Sequence, residues 1–396
     1  MTNHNKTTNV VVIGGGYAGV LAANHLRRNA DVAITLINPR PEFVERIRLH
    51  QFVTGSDDAV VDFADVLADD VRLLVDTAEH IDASSRTVTL GSGDTVEYDY
   101  LIYAVGSTGA APTIPGSDEF AYPISELEHA KPLRAALAKI HPSAPVVVVG
   151  AGPTGIEMAA ELAEEGQAVT LVCGEVLGPY FSESTRRSVI KRMRKLGVTV
   201  VDGLGAKVTE VRQDSVLLAD GRELSSIVTI WTAGFGVPDL AMRSGLATDA
   251  IGRLLTDETL TSVDNPYIVA AGDASAPSDS PLRMSCQAAM PLGAQAANTV
   301  LARIAGTEPA PVNQAFVGQC VSLGRKAGVI QVSHLDDRAT PFFIGGRAAA
   351  SIKEAVCRAT VWQLGLEARK PGSYFLFKGG KRAEHLAAAE QATAVR

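Results

Sequence analysis

The sequence predicts an α/β protein in which one doubly wound parallel-sheet unit is inserted into another and a C-terminal α+β segment comes after them. Three observations predict it. A strand, a glycine-rich turn and an alanine-rich helix occur in that order twice. An apolar strand brings the chain back after each of them. The chain has 396 residues, 46% of them hydrophobic, which is enough for two or three domains with a sizeable core.

The first pattern is Val10-Val11-Val12-Ile13 followed by Gly14-Gly15-Gly16-Tyr17-Ala18-Gly19. The second is Val146-Val147-Val148-Val149 followed by Gly150-Ala151-Gly152-Pro153-Thr154-Gly155. Each holds Gly-x-Gly-x-x-Gly between a strand and a helix. There the first glycine makes the tight turn, the second lets the backbone approach a pyrophosphate, and the third lets the helix pack on its strand. Phosphates would then sit at the positive helix N-terminus. A second apolar strand follows each helix, at residues 32–37 and 169–172, so both are βαβ starts. One such motif is weak and could be an ordinary glycine turn; two in matched context point to two Rossmann-like dinucleotide-binding domains.

Between the repeats, residues 97–107 read as a buried strand ending in Ala104-Val105-Gly106, and residues 226–234 repeat that form, ending at Gly234. Residues 112–115 and 235–238 supply the turns. Residues 265–273 form another apolar strand closing on Gly272-Asp273, where a carboxylate can accept hydrogen bonds from sugar or ribityl hydroxyls, or cap the next helix. The resulting division is 1–112 and 255–313 for the first unit, 113–254 for the inserted one, and 314–396 for a capping, interface or acceptor-side segment.

Composition narrows the function classes. A net charge of −8 speaks against a general nucleic-acid binder. Residues 1–9 are polar and the first apolar run is too short for a secretory core or a membrane span, which predicts a cytoplasmic protein. The four cysteines, Cys173, Cys286, Cys320 and Cys357, are far apart in sequence and form no Cys-x-x-Cys or Cys-x-x-x-x-Cys pair. A dithiol relay would need them to meet in space. The eight histidines show no ligand spacing, so no metal site is expected.

With these residues assembled, the chain resembles the two-dinucleotide-binding-domain flavoproteins of the pyridine-nucleotide oxidoreductase superfamily. The resemblance implies FAD on Gly14, Gly16, Tyr17, Ala18 and Gly19, with Ala104, Gly106 and Asp273 completing its site. It implies NAD(P)H on Gly150, Gly152, Pro153, Thr154, Gly155 and Gly234. The NAD(P)H-binding domain is then the one inserted into the FAD-binding domain. The second motif, with Glu157 and Glu161 on its helix, looks like the branch of type II NADH:quinone oxidoreductases and apoptosis-inducing-factor-like proteins, which needs no cysteine pair. In that branch the first glutamate lies near flavin and nicotinamide, making Glu157 the candidate for tuning hydride transfer; the alternative is a favourable first-turn charge. Where quinone-reducing members carry Ala-Gln-x-Ala-x-Gln, this chain has Cys286-Gln287-Ala288-Ala289-Met290-Pro291. Gln287 and Ala289 match that signature, while Cys286 and Pro291 depart from it.

The expected reaction passes hydride from NAD(P)H to FAD and electrons onward to an acceptor, with quinone favoured. The alternatives are a ferredoxin reductase-type component and a slow-turnover, NADH-responsive signalling flavoprotein. The nicotinamide is open, with NADH slightly favoured: Glu175, displaced by two residues from the usual strand-end position, can reach the ribose, while Arg186 and Arg187 could serve NADPH only if their helix approached. In the FAD unit the equivalent position is Asn38, which can hydrogen-bond ribose, and Arg40 can contact adenine or phosphate. Residues 351–362 can form an amphipathic helix, followed by an aromatic stretch at 374–378 beside lysines. By resemblance that segment could dock peripherally on the inner face of the cell membrane; the blander readings are a cap over the flavin or a homodimer contact. Residues 384–396 read as a frayed helix.

Overall fold

The computed structural model describes residues 7–110 and 113–394. Its first sheet places Thr8–Ile13 between Val32–Asn38 and Tyr100–Tyr103, with Arg72–Val75 and Ile268–Ala270 at the edges, all parallel. Val10 to Ile13 are buried on both faces, which is why this strand reads as a continuous apolar run rather than an alternating one. The second sheet has the order Ala121–Pro123, Val228–Trp231, Pro145–Val149, Ala168–Val172, Thr199–Val201, again all parallel.

All five strands of the second sheet fall between Tyr100–Tyr103 and Ile268–Ala270 in the chain, so one unit is inserted into the other. The outgoing and returning passages lie side by side: Thr108–Gly109 and Phe235–Gly236 pair as an antiparallel ribbon. Of the turn expected at 112–115, Pro112 lies outside the described residues, as does Ala111 before it. The repeat runs deeper than its glycines. Each unit also carries a three-stranded antiparallel meander, Ala78–Asp82, Thr87–Leu90 and Thr95–Glu97 in the first, and Val208–Val211, Ser215–Leu218 and Glu223–Ser225 in the second.

The helix Tyr17–Leu26 is buried along its whole length because a second helix, Cys286–Ile304, lies against it. The approach is close: a Cβ at Gly293 would stand 2.2 Å from the Ala18 carbonyl oxygen. This fixes the start of Cys286–Ile304 beside the first glycine turn.

The C-terminal segment is an antiparallel sheet, Gly318–Ser322, Gly328–Ser333 and Ala339–Gly345, crossed by the helix Gly346–Arg369. That helix is longer at both ends than the amphipathic stretch expected at 351–362. Buried Glu367, near its end, pins the chain at 372–374. Its carboxylate accepts from His25 Nδ1 at 2.6 Å, the Gly372 amide at 2.6 Å, the Ser373 hydroxyl at 3.0 Å and the Tyr374 amide at 2.7 Å. The aromatic stretch is thereby tied to the first unit without regular secondary structure. The expected terminal helix forms as Arg382–Ala394.

Candidate active site

Each glycine turn ends an inner strand of its own parallel sheet and opens onto a helix N-terminus, the crevice position for a ligand in an open α/β sheet. At Gly14, φ is +104° and a Cβ would lie 2.3 Å from the Ala104 carbonyl oxygen; at Gly150, φ is +138° and a Cβ would lie 2.1 Å from Thr232 Oγ1. A Cβ at Gly19 or Gly155 would strike the carbonyl of the first glycine of its own motif. These four glycines are needed by the fold itself. Gly16 and Gly152 are not: both have extended backbone, φ −86° and −79°, with open space where a Cβ would stand.

Those two positions are the helix N-caps. Neither helix is capped by a side chain, and neither first turn carries a carboxylate. An uncapped, carboxylate-free N-terminus beside an open glycine is a cradle for a phosphate. FAD and a nicotinamide dinucleotide both fit such cradles. Beside the first cradle, Asp273 Oδ2 accepts from the Ser107 hydroxyl at 2.7 Å and its Oδ1 from the Ser285 amide at 3.2 Å, so one carboxylate ties the end of the return region to the N-cap of Cys286–Ile304. Gly106, at φ +72°, turns the chain just before Ser107. Tyr17 packs edge-on against Phe43 at 5.1 Å, and its hydroxyl is buried. Ala18, also buried, is the floor on which Gly272 and Gly293 close.

The structure gives other predicted residues protein partners. Asn38 Oδ1 accepts from the Gly15 amide at 2.9 Å and its Nδ2 donates to the Arg40 carbonyl at 2.8 Å, so the amide braces the glycine turn. Arg40 pairs across the unit boundary with Glu128 at 2.5 Å and Glu126 at 3.4 Å. Glu175 is exposed after Ala168–Val172, beside the second cradle. Arg186 spends its guanidinium on the carbonyls of Leu177, Gly178 and Phe181, and Arg187 on Glu183 at 2.6 Å. Gly234, at φ +86°, lies against Ala110 of the outgoing passage. With its side-chain amide oriented as its neighbours require, Gln287 donates to the Gly318 carbonyl at 2.9 Å and accepts from the Val317 amide at 3.2 Å, which joins the start of its helix to the C-terminal sheet.

Glu157 lies beyond the first turn of Pro153–Glu164, and it is buried. Its Oε1 lies 2.7 Å from Lys353 Nζ and accepts from the Ser322 amide at 2.9 Å. Burial would raise its carboxyl, but the Lys353 ammonium and neighbouring His50 outweigh that and hold it below the usual range. Lys353 is also buried; desolvation pulls its pKa down, and Glu157 more than restores it. Three cysteines, Cys286, Cys320 and Cys357, are within electrostatic reach of this lysine, so residues remote in sequence do converge. Burial raises all three thiols, Cys357 to about 11, which keeps them protonated and inert as nucleophiles at neutral pH.

Three further residues were not among the predicted site positions. Arg46 donates from Nη1 to the Ser107 carbonyl at 2.6 Å and from Nε to the Ser125 carbonyl at 2.9 Å, bridging the two units beside Asp273. His50 and Lys353 stand on either side of Glu157. Glu161, one turn beyond Glu157, meets Arg325 at 2.7 Å and His50 at 3.3 Å; burial opposes its ionisation, yet these neighbours hold its pKa at about 2. A depressed carboxyl stabilises the fold above its unfolded pKa, and that contribution, on the order of 3 kcal/mol, is lost as pH falls from about 5 towards 2. Thermal unfolding at neutral and acid pH is expected to show a shallower acid loss in Glu161→Gln; an unchanged slope would mean that this carboxylate contributes nothing to the acid sensitivity.

Comparison with known proteins agrees with this geometry. An NADH dehydrogenase-like protein of Mycobacterium tuberculosis is 31% identical over 324 residues, covering 74% of this chain and 80% of that one. A type II NADH:quinone oxidoreductase of the same organism is 28% identical over 378 residues, covering 83% and 80%. The sulfide:quinone oxidoreductase of Aquifex aeolicus has the same fold, with a TM-score of 0.78 at 22% identity over 91% of this chain and 92% of that one. The pyridine nucleotide-disulphide oxidoreductase family matches residues 8–293, a span holding both cradles and Asp273, and this chain belongs to that family.

Proposed function

We propose that the protein is an FAD-dependent NADH:quinone oxidoreductase. The observation that carries this reading is the pairing of two open, uncapped phosphate cradles with a buried Lys353–Glu157 ion pair next to the start of Cys286–Ile304. The type II NADH:quinone oxidoreductase of Mycobacterium tuberculosis supports it by its named activity. When bound, FAD would supply the two-electron chemistry, accepting hydride from NADH and passing electrons to the second substrate.

The chain's own residues would bind, orient and move protons. Gly16 and the first turn of Tyr17–Leu26 would hold one pyrophosphate, with Asp273 on the ribityl chain. Gly152, Pro153 and Thr154 would hold the other. Glu175 would take the adenosine ribose, and the engagement of Arg186 with three backbone carbonyls leaves it unavailable for a 2′-phosphate, which favours NADH. Lys353 would give a proton to the reduced acceptor, with Glu157 holding the ammonium in place and accepting its charge balance.

The C-terminal segment would bring the protein to a membrane surface. Along Gly346–Arg369 the exposed residues Ile352, Val356 and Trp362 lie on one face, and Phe342, Phe375 and Phe377 are 73%, 70% and 60% exposed. Among the described residues no helix is long and apolar enough to cross a bilayer.

An acceptor panel run with both nucleotides tests the reading. NADH-driven turnover is expected with a quinone in lipid vesicles, with the protein floating with those vesicles. Turnover only with ferredoxin, or stoichiometric reduction without turnover, would overturn it in favour of a ferredoxin reductase or a redox-responsive binding protein.

A further inference from the structure

His50 lies in the short helix Leu49–Thr54, 3% exposed, between two carboxylates of Pro153–Glu164. Its Nδ1 is 3.7 Å from Glu157 Oε2 and its Nε2 is 3.3 Å from Glu161 Oε1, yet Nε2 makes no aligned hydrogen bond. One ring nitrogen faces each carboxylate, so the imidazole can exchange a proton with either side. On one side Glu157 meets Lys353 at 2.7 Å. On the other, Glu161 Oε2 accepts from the Thr54 hydroxyl at 3.0 Å and from the Ser56 hydroxyl at 3.3 Å, and Ser56 is exposed to solvent. A line of exchangeable groups therefore runs from water at Ser56 through Glu161, His50 and Glu157 to Lys353.

Reduction of a quinone to a quinol gives this line a use. NADH delivers a hydride, which is two electrons and one proton; the quinol needs two electrons and two protons. One proton per turnover must come from solvent, and Lys353, with only 12% of its side chain exposed, has to be supplied again once it has given its own. We propose that His50 and Glu161 are the proton relay that recharges Lys353 through Glu157. A small swing of the ring would bring Nδ1 to Glu157 and Nε2 to Glu161 in turn, each within hydrogen-bonding range. The inference rests on the quinone reading above.

The charges around the ring suit a conduit. Glu157 and Glu161 face it from one helix. Arg325 from the Gly318–Ser322 and Gly328–Ser333 hairpin and Lys353 from Gly346–Arg369 balance those carboxylates, and Arg48 pairs with Glu354 alongside. The two carboxylates that face the ring are thus each matched by a cation on their far side.

Stopped-flow mixing of the NADH-reduced holoenzyme with a soluble quinone, and separately with ferricyanide, which takes electrons without protons, tests the relay. In His50→Gln, reoxidation by quinone is expected to slow about tenfold or more and its solvent deuterium effect to change, while ferricyanide reoxidation and NADH bleaching stay within about twofold of the parent. Glu161→Gln should give the same pattern, and should also shift the His50 imidazole nitrogen signals in the NMR spectrum of the holoenzyme. Equal slowing with both acceptors would mark a structural role, and an unchanged quinone rate would leave no role; either result overturns the relay. A parent enzyme that ferricyanide reoxidises and quinone does not would instead overturn the quinone reading, and the relay with it.

Discussion

Gly16→Val is expected to give a folded protein that purifies without FAD, and Gly152→Val a yellow protein whose flavin NADH no longer bleaches. Both glycines have extended backbone that any residue adopts, and neither Cβ would meet an atom within 4 Å. The fold therefore has no use for a glycine there, apart from about 1 kcal/mol of helix-cap preference. A pyrophosphate does, because the added side chain would stand where phosphate oxygens approach the first-turn amides. Losing two charge-assisted hydrogen bonds weakens binding by at least about a hundredfold. Gly14→Ala is the contrast: its Cβ would enter the Ala104 carbonyl at 2.3 Å and its φ is +104°, so the protein itself should misfold. Flavin content and NADH titration of the two valine variants check the assignment. Retention of FAD by Gly16→Val, or normal bleaching of Gly152→Val, would place the cofactors elsewhere.

Lys353→Met carries the second large effect. NADH should still bleach the flavin, while reoxidation by quinone should fall by about a hundredfold or more, the scale of a lost general acid. Stability should fall too, because Glu157 would be left buried with its main counter-charge gone, a loss of about 3–5 kcal/mol. In the parent the Glu157 carboxyl is held low; without the ammonium, burial pushes it up. A carboxyl raised by folding destabilises at neutral pH and recovers as pH falls, so the variant should be relatively more stable in mild acid. The double variant Lys353→Met with Glu157→Gln removes the stranded charge and should regain stability but not quinone reduction. If both return together, the lysine was only a structural partner.

The glycine turns were legible in the sequence because everything that makes them is local: a β-branched run, a turn needing positive φ, and a helix that must pack closely. The inserted topology was legible for a related reason, since the return strands at 100–103 and 228–231 repeat the pattern of their partners. The acceptor side was not. Ser322 and Glu157 are 165 positions apart, and nothing in the composition of either segment shows that they meet. His50 and Arg46 lie in a stretch with no strong periodicity, and their importance comes from partners on the inserted unit. The cysteine spacing gave no sign that three thiols gather around one lysine. Asn38, at the end of the second strand, and Arg40 just after it read as nucleotide contacts by position alone; position does not show that they also hold Gly15, Glu126 and Glu128, contacts that keep the turn and the two units together.

The proposed path, from a nucleotide in one cradle through a flavin in the other to a quinone, makes a strict demand on stoichiometry and order. Sequential anaerobic mixing probes that demand: the flavin-loaded protein with one equivalent of NADH, then with a quinone. The flavin absorbance is expected to bleach in the first step and return in the second with one quinol formed per NADH. A flavin that NADH leaves oxidised, or one that stays reduced in the presence of excess quinone, would be incompatible with that path.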